Sequence, residues 1–467
     1  MWELLFFSGL TVLYGTGIAW SLVRLKRKRL QTWQDAARSC GLQVEEVSGA
    51  SAGWLKARAG PLAVRIEDSR TNDYGCRIVV TAPGPPGFPG VRIRRESQRF
   101  GAHEIEIGDE PFDQAFYIVG PMRLLFALLD AATRHLLISV NAESRLLEIV
   151  DGELRSGTFD SRVADLLPLL LEIGRRFAEP LDVAQRLAEN ARRDPDAEVR
   201  LRNLRLLVRE LPGDPGAVAA LRTAGADPSP QVRLWAAKEL GAEGRGVLVE
   251  LAESTSDDAV SAQAVSILDR ELPFDRATTL LNVALRRRRM LTARACLEVL
   301  GRNGGAAAIP LLEKVLAREH GELAAAAAQA LGSTGSPAVE APLLLALSQA
   351  LEQEQTDIQV AAANALARAG TVAAVLPLKE AAERSSHHPE VRKATRQAIA
   401  EIQSRRQGAS PGQLSLAGAE AGQLSLAPTA AGQLSLATDP AGELSLPAAE
   451  PGQLSLGGGE PRGPRGE

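Results

Sequence analysis

Three patterns of apolar residues follow one another along the chain, and the first is an uncharged run near the N-terminus. Residues 4–23 contain no charged side chain. At a rise of about 1.5 Å per residue, a helix of this length spans a hydrocarbon layer about 30 Å thick. Residues 1–30 are therefore predicted to form a transmembrane anchor with a basic flank. The residues expected at its membrane interfaces are Trp2, Trp20, Arg24, Lys26, Arg27, Lys28 and Arg29.

The distribution of cations around this run predicts its orientation. Five basic residues lie between positions 24 and 29, whereas Glu3 is the only charged side chain before the run. The positive-inside rule then places the N-terminus outside and the rest of the chain in the cytoplasm. A cleaved signal peptide is excluded, because no basic segment precedes the run and no small-residue cleavage site follows it.

The second pattern is a period-two alternation within residues 31–180, which is typical of strands with one buried face. The runs lie at 42–47, 54–58, 62–66, 77–80, 91–94, 104–107 and 146–150. Helical patterns occur at 32–40, 122–137 and 163–177, and a loop rich in Pro and Gly occupies 83–90. This part of the chain is predicted to be a small α+β domain.

A segment in this domain resembles a motif of a bacterial family of membrane-anchored domains that has no assigned function. The segment, 107–119, carries Gly108-Asp109 and Phe112-Asp113 between a predicted strand and a leucine-rich helix. The resemblance covers about 60–175 and implies no activity. Asp109 and Asp113 could form a catalytic carboxylate pair, but Gly and Asp at these positions favour a turn.

The third pattern is a repeat that begins near residue 182. Each copy has an apolar or small anchor residue with further apolar residues four and eight positions later, along one helical face. The anchors are spaced by 28 to 35 residues. The seven anchors are Val199, Val232, Val260, Thr292, Leu323, Ile358 and Val391.

The chemistry of one copy predicts a pair of helices. An Asp or Ser before Pro or a small residue is expected to cap the first helix, and Ala allows close helix packing. A Gly that follows the last Leu is expected to end that helix. A second helix packs against the first, and the pair buries its apolar face only when the next copy stacks on it.

The copy at 227–241, Asp-Pro-Ser-Pro-Gln-Val-Arg-Leu-Trp-Ala-Ala-Lys-Glu-Leu-Gly, resembles HEAT repeats, specifically the short bacterial repeats that also occur in phycobilin lyases. The likeness covers residues 182–403 and implies an all-α solenoid. Proteins of this family are mostly scaffolds and adaptors. The lyase branch attaches or isomerises bilins, but the repeat pattern itself does not carry that activity.

The remaining segment, 404–467, is rich in Gly, Ala, Pro and Ser and is predicted to be a disordered tail. Gly-Gln-Leu-Ser-Leu recurs in it with glycines at 412, 422, 432, 442 and 452, and Glu443 replaces Gln in one copy. The short Leu-Ser-Leu pieces could each add a strand to a partner's sheet, or the copies could be a duplicated neutral spacer. They also resemble the peptide that docks on the bacterial sliding clamp, but lack its aromatic residue.

Charge and residue chemistry indicate a binding protein that catalyses no reaction. The formal net charge of −4 argues against nucleic acid as a partner. We find no phosphate-binding loop, activated nucleophile or metal-ligand spacing, so no cofactor or metal is predicted. Four consecutive cations, Arg286, Arg287, Arg288 and Arg289, form a candidate partner site for an acidic protein, anionic lipid or nucleic acid. The alternative is a solvated helix C-terminus.

Together these patterns predict a membrane-tethered scaffold on the cytoplasmic side of the bacterial inner membrane, which binds proteins of unknown identity through its repeats. One alternative is an enzyme or accessory subunit related to the bilin lyases. Another is a structural organiser of the cell envelope, which would require the opposite topology.

Overall fold

The computed structural model describes residues 23–48, 53–69, 75–82, 90–98, 104–254, 256–385, 387–407, 414–416 and 424–426. Most of the predicted anchor, including Trp2 and Trp20, lies outside these ranges. The chain divides into two compact units, Met1–Leu268 and Asp269–Glu467. The first unit contains the α+β domain and the beginning of the repeat region, and the second contains the later repeats.

An eight-stranded antiparallel sheet forms the centre of the α+β domain. Its spatial order is β1-β2-β3-β4-β8-β7-β5-β6. The strands are β1 (Gln43–Ser48), β2 (Trp54–Ala59), β3 (Leu62–Asp68), β4 (Cys76–Thr81), β5 (Arg92–Arg95), β6 (Phe116–Val119), β7 (Leu146–Val150) and β8 (Glu153–Thr158).

One face of this sheet is covered by helices. Along β3, Leu62, Val64 and Ile66 are buried while Ala63 and Arg65 are exposed, as the alternation predicts. Helix α1 (23–39) and helix α5 (Val163–Ala178) contribute to the same core. Helix α5 packs closely on the sheet, because a Cβ atom on its Gly174 would lie 2.9 Å from the Val80 side chain. The α+β architecture predicted from the alternation is confirmed.

Several details of this domain differ from the prediction, and strands β6 and β8 lie outside the predicted runs. The helix expected over 122–137 is two helices, α3 (Met122–Leu128) and α4 (Ala131–Glu143). The chain turns at Asp130, whose carboxylate accepts a hydrogen bond of 2.8 Å from the Thr133 N–H and so begins α4. The strand expected over 104–107 is absent: these residues lie outside the sheet ladder, although the Ile105 N–H donates to the Ile118 carbonyl. A short helix, α2 (Glu110–Ala115), follows them.

No single helix in the ranges given above is long and apolar enough to cross a membrane. Helices α3 and α4 together are long and apolar enough, but the chain bends by 83° between them.

From Val183 to Gln407 the described chain is helical. Helix α6 (Val183–Arg193) leads into alternating A and B helices. The A helices are α7 (Ala197–Glu210), α9 (Pro230–Leu240), α11 (Asp258–Leu268), α13 (Met290–Asn303), α15 (Glu322–Ser333), α17 (Thr356–Ala369) and α19 (Pro389–Gln407). The B helices are α8 (Pro215–Ala224), α10 (Arg245–Glu253), α12 (Phe274–Arg286), α14 (Gly305–Arg318), α16 (Glu340–Glu352) and α18 (Val375–Arg384).

Within each unit the A helices pack in a row, with α7, α9 and α11 in the first and α13, α15, α17 and α19 in the second. Each of the seven anchor residues lies in the first turn of an A helix and is at most 5% exposed. The stacking of helix pairs within each unit is the arrangement that the repeat pattern predicts.

The glycine after the last Leu ends its helix in one copy, as predicted, but has a different role in two others. Gly241 does end α9, with a φ of 58°. Gly301 and Gly332, however, lie inside α13 and α15. A Cβ atom on Gly332 would lie 2.6 Å from the Ala365 Cα atom of α17. These glycines are therefore required where two A helices cross at close range, which is a packing constraint rather than a helix stop.

Ten residues of the predicted tail, 404–467, are described, and the first four belong to the end of helix α19 instead of a disordered segment. The other six lie at 414–416 and 424–426. They form two short strands, β9 (Leu414–Leu416) and β10 (Leu424–Leu426), which pair in antiparallel fashion. The other residues of the predicted disordered tail lie outside the described ranges.

Candidate partner-binding surface

A buried arginine joins the α+β domain to the first repeat. Arg134 of α4 is 1% exposed. Its Nε donates to Asp109 Oδ2 over 2.6 Å, and its two terminal nitrogens donate to the Asp194 carboxylate over 2.9 and 3.0 Å. The Leu129 carbonyl accepts a further hydrogen bond from it. The bidentate geometry fixes the start of the repeat region, at Asp194, relative to this domain.

The same pairing recurs one repeat later. Arg200 binds the Asp227 carboxylate over 2.8 and 2.7 Å and also donates to the Asp194 carbonyl. Arg233 donates to the Asp227 carbonyl in the equivalent way. The predicted cap is wrong for these two aspartates, which precede Pro, because they bind these arginines, but it holds for an Asp before a small residue, Asp196 before Ala197. The cap of α7 is Asp196, whose side chain accepts from the Glu198 and Val199 N–H groups.

The two clustered acids of the motif segment have structural contacts. Asp109 caps α2 by accepting from the Phe112 N–H, in addition to its contact with Arg134. Asp113 accepts from the Ile107 and Gly108 N–H groups over 2.9 and 2.8 Å. Burial raises the pKa of the Asp113 carboxyl, although these two hydrogen bonds lower it. Both carboxylates hold the turn together.

The second unit has a groove along its A helices, with a volume of about 640 Å³. Two rows of residues line it at the same two positions of four successive helices, six and ten residues after the anchor. The first row is Glu298, Gln329, Asn364 and Gln397, and the second is Arg302, Ser333, Arg368 and Glu401. Equivalent positions recur because the helices repeat in register.

The chemistry of this groove suits an uncharged polypeptide backbone. Three of the four first-row side chains are amides, each of which can donate and accept hydrogen bonds. Ala330 and Ala367 also line it and leave space between the rows. The two acids and two arginines balance in charge, so the groove has no excess of cations for nucleic acid. We name the surface formed by these two rows the A-helix groove.

The predicted cationic site is only partly exposed. Arg286 ends α12, and Arg286, Arg287 and Arg288 are exposed at the turn into α13. Arg289 is buried, and its charge slightly lowers the pKa of Cys296, which burial raises to about 12. Three arginines, rather than four, are therefore presented to solvent at this turn.

The basic flank of the predicted anchor is also divided. Arg24, Arg27 and Lys28 are exposed on α1, and Lys26 is partly so. Arg29 instead binds Asp160 over 2.6 Å and Asp68 over 2.9 Å, and it lies over the Trp33 ring. Arg29 thus attaches α1 to the sheet.

Titratable side chains do not form a reactive cluster in the described ranges. No group of three or more His, Cys, Asp or Glu is arranged to hold a metal ion there. Cys76 and Cys296 are buried, and burial raises the pKa of the Cys76 thiol well above its ordinary value. His387 and His388 are exposed or partly exposed at the turn before α19, and His388 lies 3.8 Å from Glu390.

Comparison with known proteins adds no identification. No protein-family model matches the sequence, and a search of curated proteins finds no match.

Proposed function

We propose that this chain is a membrane-tethered scaffold whose HEAT-type repeats bind an extended segment of a partner protein in the A-helix groove. The observation that supports this proposal is the two-row lining of that groove by four successive helices. An extended chain presents N–H and C=O groups at regular intervals, and a row of amide side chains can bind both. The balanced charge of the groove favours a protein over nucleic acid.

The groove is tested by recovery of bound proteins with the full-length chain from detergent-solubilised native membranes. The Gln329→Lys and Asn364→Lys double variant places two cations in the first row. We expect it to recover partner proteins at least tenfold less well. The matched control is Gln349→Lys, an exposed glutamine on the B helix α16. If the double variant and the control recover the same proteins equally, the groove is not the binding surface.

The anchor is the second part of the proposal, and it concerns residues 4–23. The Leu10→Arg and Val12→Arg double variant places two charges within the apolar run, where each opposes membrane insertion by about 3 kcal/mol. We expect the variant protein to leave the membrane fraction during alkaline carbonate extraction. Leu25→Arg, just after the run, should stay with the membrane. Retention of the double variant would contradict a transmembrane anchor.

A further inference from the structure

The turn between α12 and α13 combines exposed cations with exposed apolar side chains. Arg286, Arg287 and Arg288 extend from the end of α12. They are followed by Met290, which is 43% exposed, and Leu291, which is 52% exposed. Two neighbouring exposed apolar side chains beside exposed cations provide apolar and charged contacts on one surface. We name the surface formed by these five residues the arginine turn.

The backbone of this turn indicates that an arginine is retained at the expense of stability. The Arg288 N–H donates to the Leu285 carbonyl and the Arg289 N–H to the Ala284 carbonyl, which is the hydrogen-bond pattern of a helix ending in a left-handed residue. Arg288 has a φ of 55°, where glycine is the favoured residue. An arginine there destabilises the fold relative to glycine.

Another turn of the same unit provides a comparison. Between α16 and α17, Glu354 has a φ of 54°, and the next N–H, of Gln355, donates to the Ala350 carbonyl. The backbone conformation is the same, but the side chain carries the opposite charge. Glycine at either position should therefore stabilise the fold to a similar extent, and only the change at Arg288 should alter the charge of the arginine turn.

The segment 408–467 of the same chain has the complementary chemistry. It contains six acidic and two basic residues, which gives a net charge of −4. It also contains ten leucines, two in each of the five copies. In an extended Leu-Ser-Leu segment the two leucines share one face, about 7 Å apart.

The tail is long enough to reach this surface. A chain of 60 residues rich in Gly and Ser has an average end-to-end distance of about 40–45 Å. The tail begins at the end of α19, three A helices away from α13. Neighbouring helices pack about 10 Å apart, and one helix is about 20 Å long. The distance from the end of α19 to the arginine turn is therefore on the order of 40 Å.

We propose that the tail docks on the arginine turn of its own chain, with its acidic residues beside Arg286, Arg287 and Arg288 and a Leu-Ser-Leu segment on Met290 and Leu291. Five copies on one tether raise the effective concentration of the docking segment, and any one copy suffices. The contact covers a surface of the second unit until salt or a competing acidic partner displaces the tail. It does not depend on the A-helix groove.

The test uses full-length protein with benzoylphenylalanine in place of Leu436, in the third copy. After illumination we expect cross-links to peptides that contain residues 286–293. The Arg288→Gly variant should reduce them at least threefold, because the surface loses one of its three cations. The control, Glu354→Gly, should leave them unchanged, while both glycine variants raise Tm by similar amounts. This pairing separates a loss of docking from a loss of folding.

A second variant removes the charge from the tail instead of the surface. This variant combines Glu420→Gln, Asp439→Asn, Glu443→Gln and Glu450→Gln. We expect its hydrogen exchange at 286–293 to increase to the level that the wild-type protein shows in 0.5 M salt. Cross-links that map elsewhere, or that decrease on dilution, would overturn docking within one chain. Protection of 286–293 that persists in this variant on anionic vesicles would assign the surface to lipid headgroups and would also overturn the proposal.

Discussion

Replacing Arg134 by methionine is expected to lower the free energy of unfolding of the first unit by about 3–5 kcal/mol. The guanidinium is 1% exposed, and the Asp194 side chain that it binds is equally buried. Methionine would fill most of the volume but leave the Asp194 carboxylate charged without a cation in a low-dielectric surrounding. Urea unfolding followed by circular dichroism measures the change.

The control for this variant is an ion pair with the same chemistry in an exposed position. Arg222 and Glu243 form a bidentate pair over 2.8 and 3.0 Å, with both side chains more than half exposed. Because solvent screens such pairs, Arg222→Met should leave the urea midpoint nearly unchanged. Equal effects of the two substitutions would show that burial of Arg134 does not matter to the fold.

A double substitution separates the ion pair from its surroundings. If the loss in the Arg134→Met variant arises from an unpaired Asp194 carboxylate, adding Asp194→Asn should restore part of the stability. The pair connects a helix of the α+β domain to the start of the repeats. We therefore expect separate unfolding transitions for these two regions in the Arg134→Met variant, and one common transition in the native chain.

The repeat helices could be predicted from one sequence because their signal is local. An apolar anchor such as Val232 or Ile358 and the alanines after it share a helical face, and periodicity alone identifies that face. The A-helix groove follows in part from the same register, since positions six and ten residues after each anchor lie on one side of their helix. The sequence does not show that this side of the helices is exposed to solvent, because its exposure depends on how neighbouring helices pack.

The contact of Arg134 with Asp194 could not be predicted in this way. Sixty residues separate the two, and Arg134 lies in a helix whose start at Asp130 was itself missed. One available signal was the recurrence of Asp-Pro followed by Arg six residues after the Asp, at Asp194 and again at Asp227. A charged pair kept at constant spacing in a buried repeat indicates an ion pair between repeats, which helix capping alone does not explain.

The role of the glycines was predicted incorrectly for a related reason. A Gly after an apolar run is a general sign of a helix end, and this holds for Gly241. At Gly301 and Gly332 the helix continues, because the missing side chain is needed by the neighbouring helix. Sequence periodicity describes one helix at a time and contains no information on the distance to the next.

The Gly332→Ala variant tests this packing role and is expected to destabilise the second unit by about 3 kcal/mol. Alanine is the better helix former, so helix propensity alone would predict a more stable protein. The added Cβ, however, would lie 2.6 Å from both the Cα and the Cβ of Ala365. Both helices would have to move apart, because no flexible side chain is available to relieve the overlap. Thermal and urea unfolding measure the change.

The sign of the effect is what decides between the two roles, and Gly246→Ala provides the reference. Gly246 lies in helix α10 and has no atom within 4 Å of the position that a Cβ would occupy. Alanine there should stabilise the fold by about 0.5 kcal/mol, because only helix propensity and backbone entropy change. If Gly332→Ala were also stabilising, α15 and α17 would have to be farther apart than described. Loss of stability at Gly332 alone would establish close A-helix crossing as the constraint that retains glycine there.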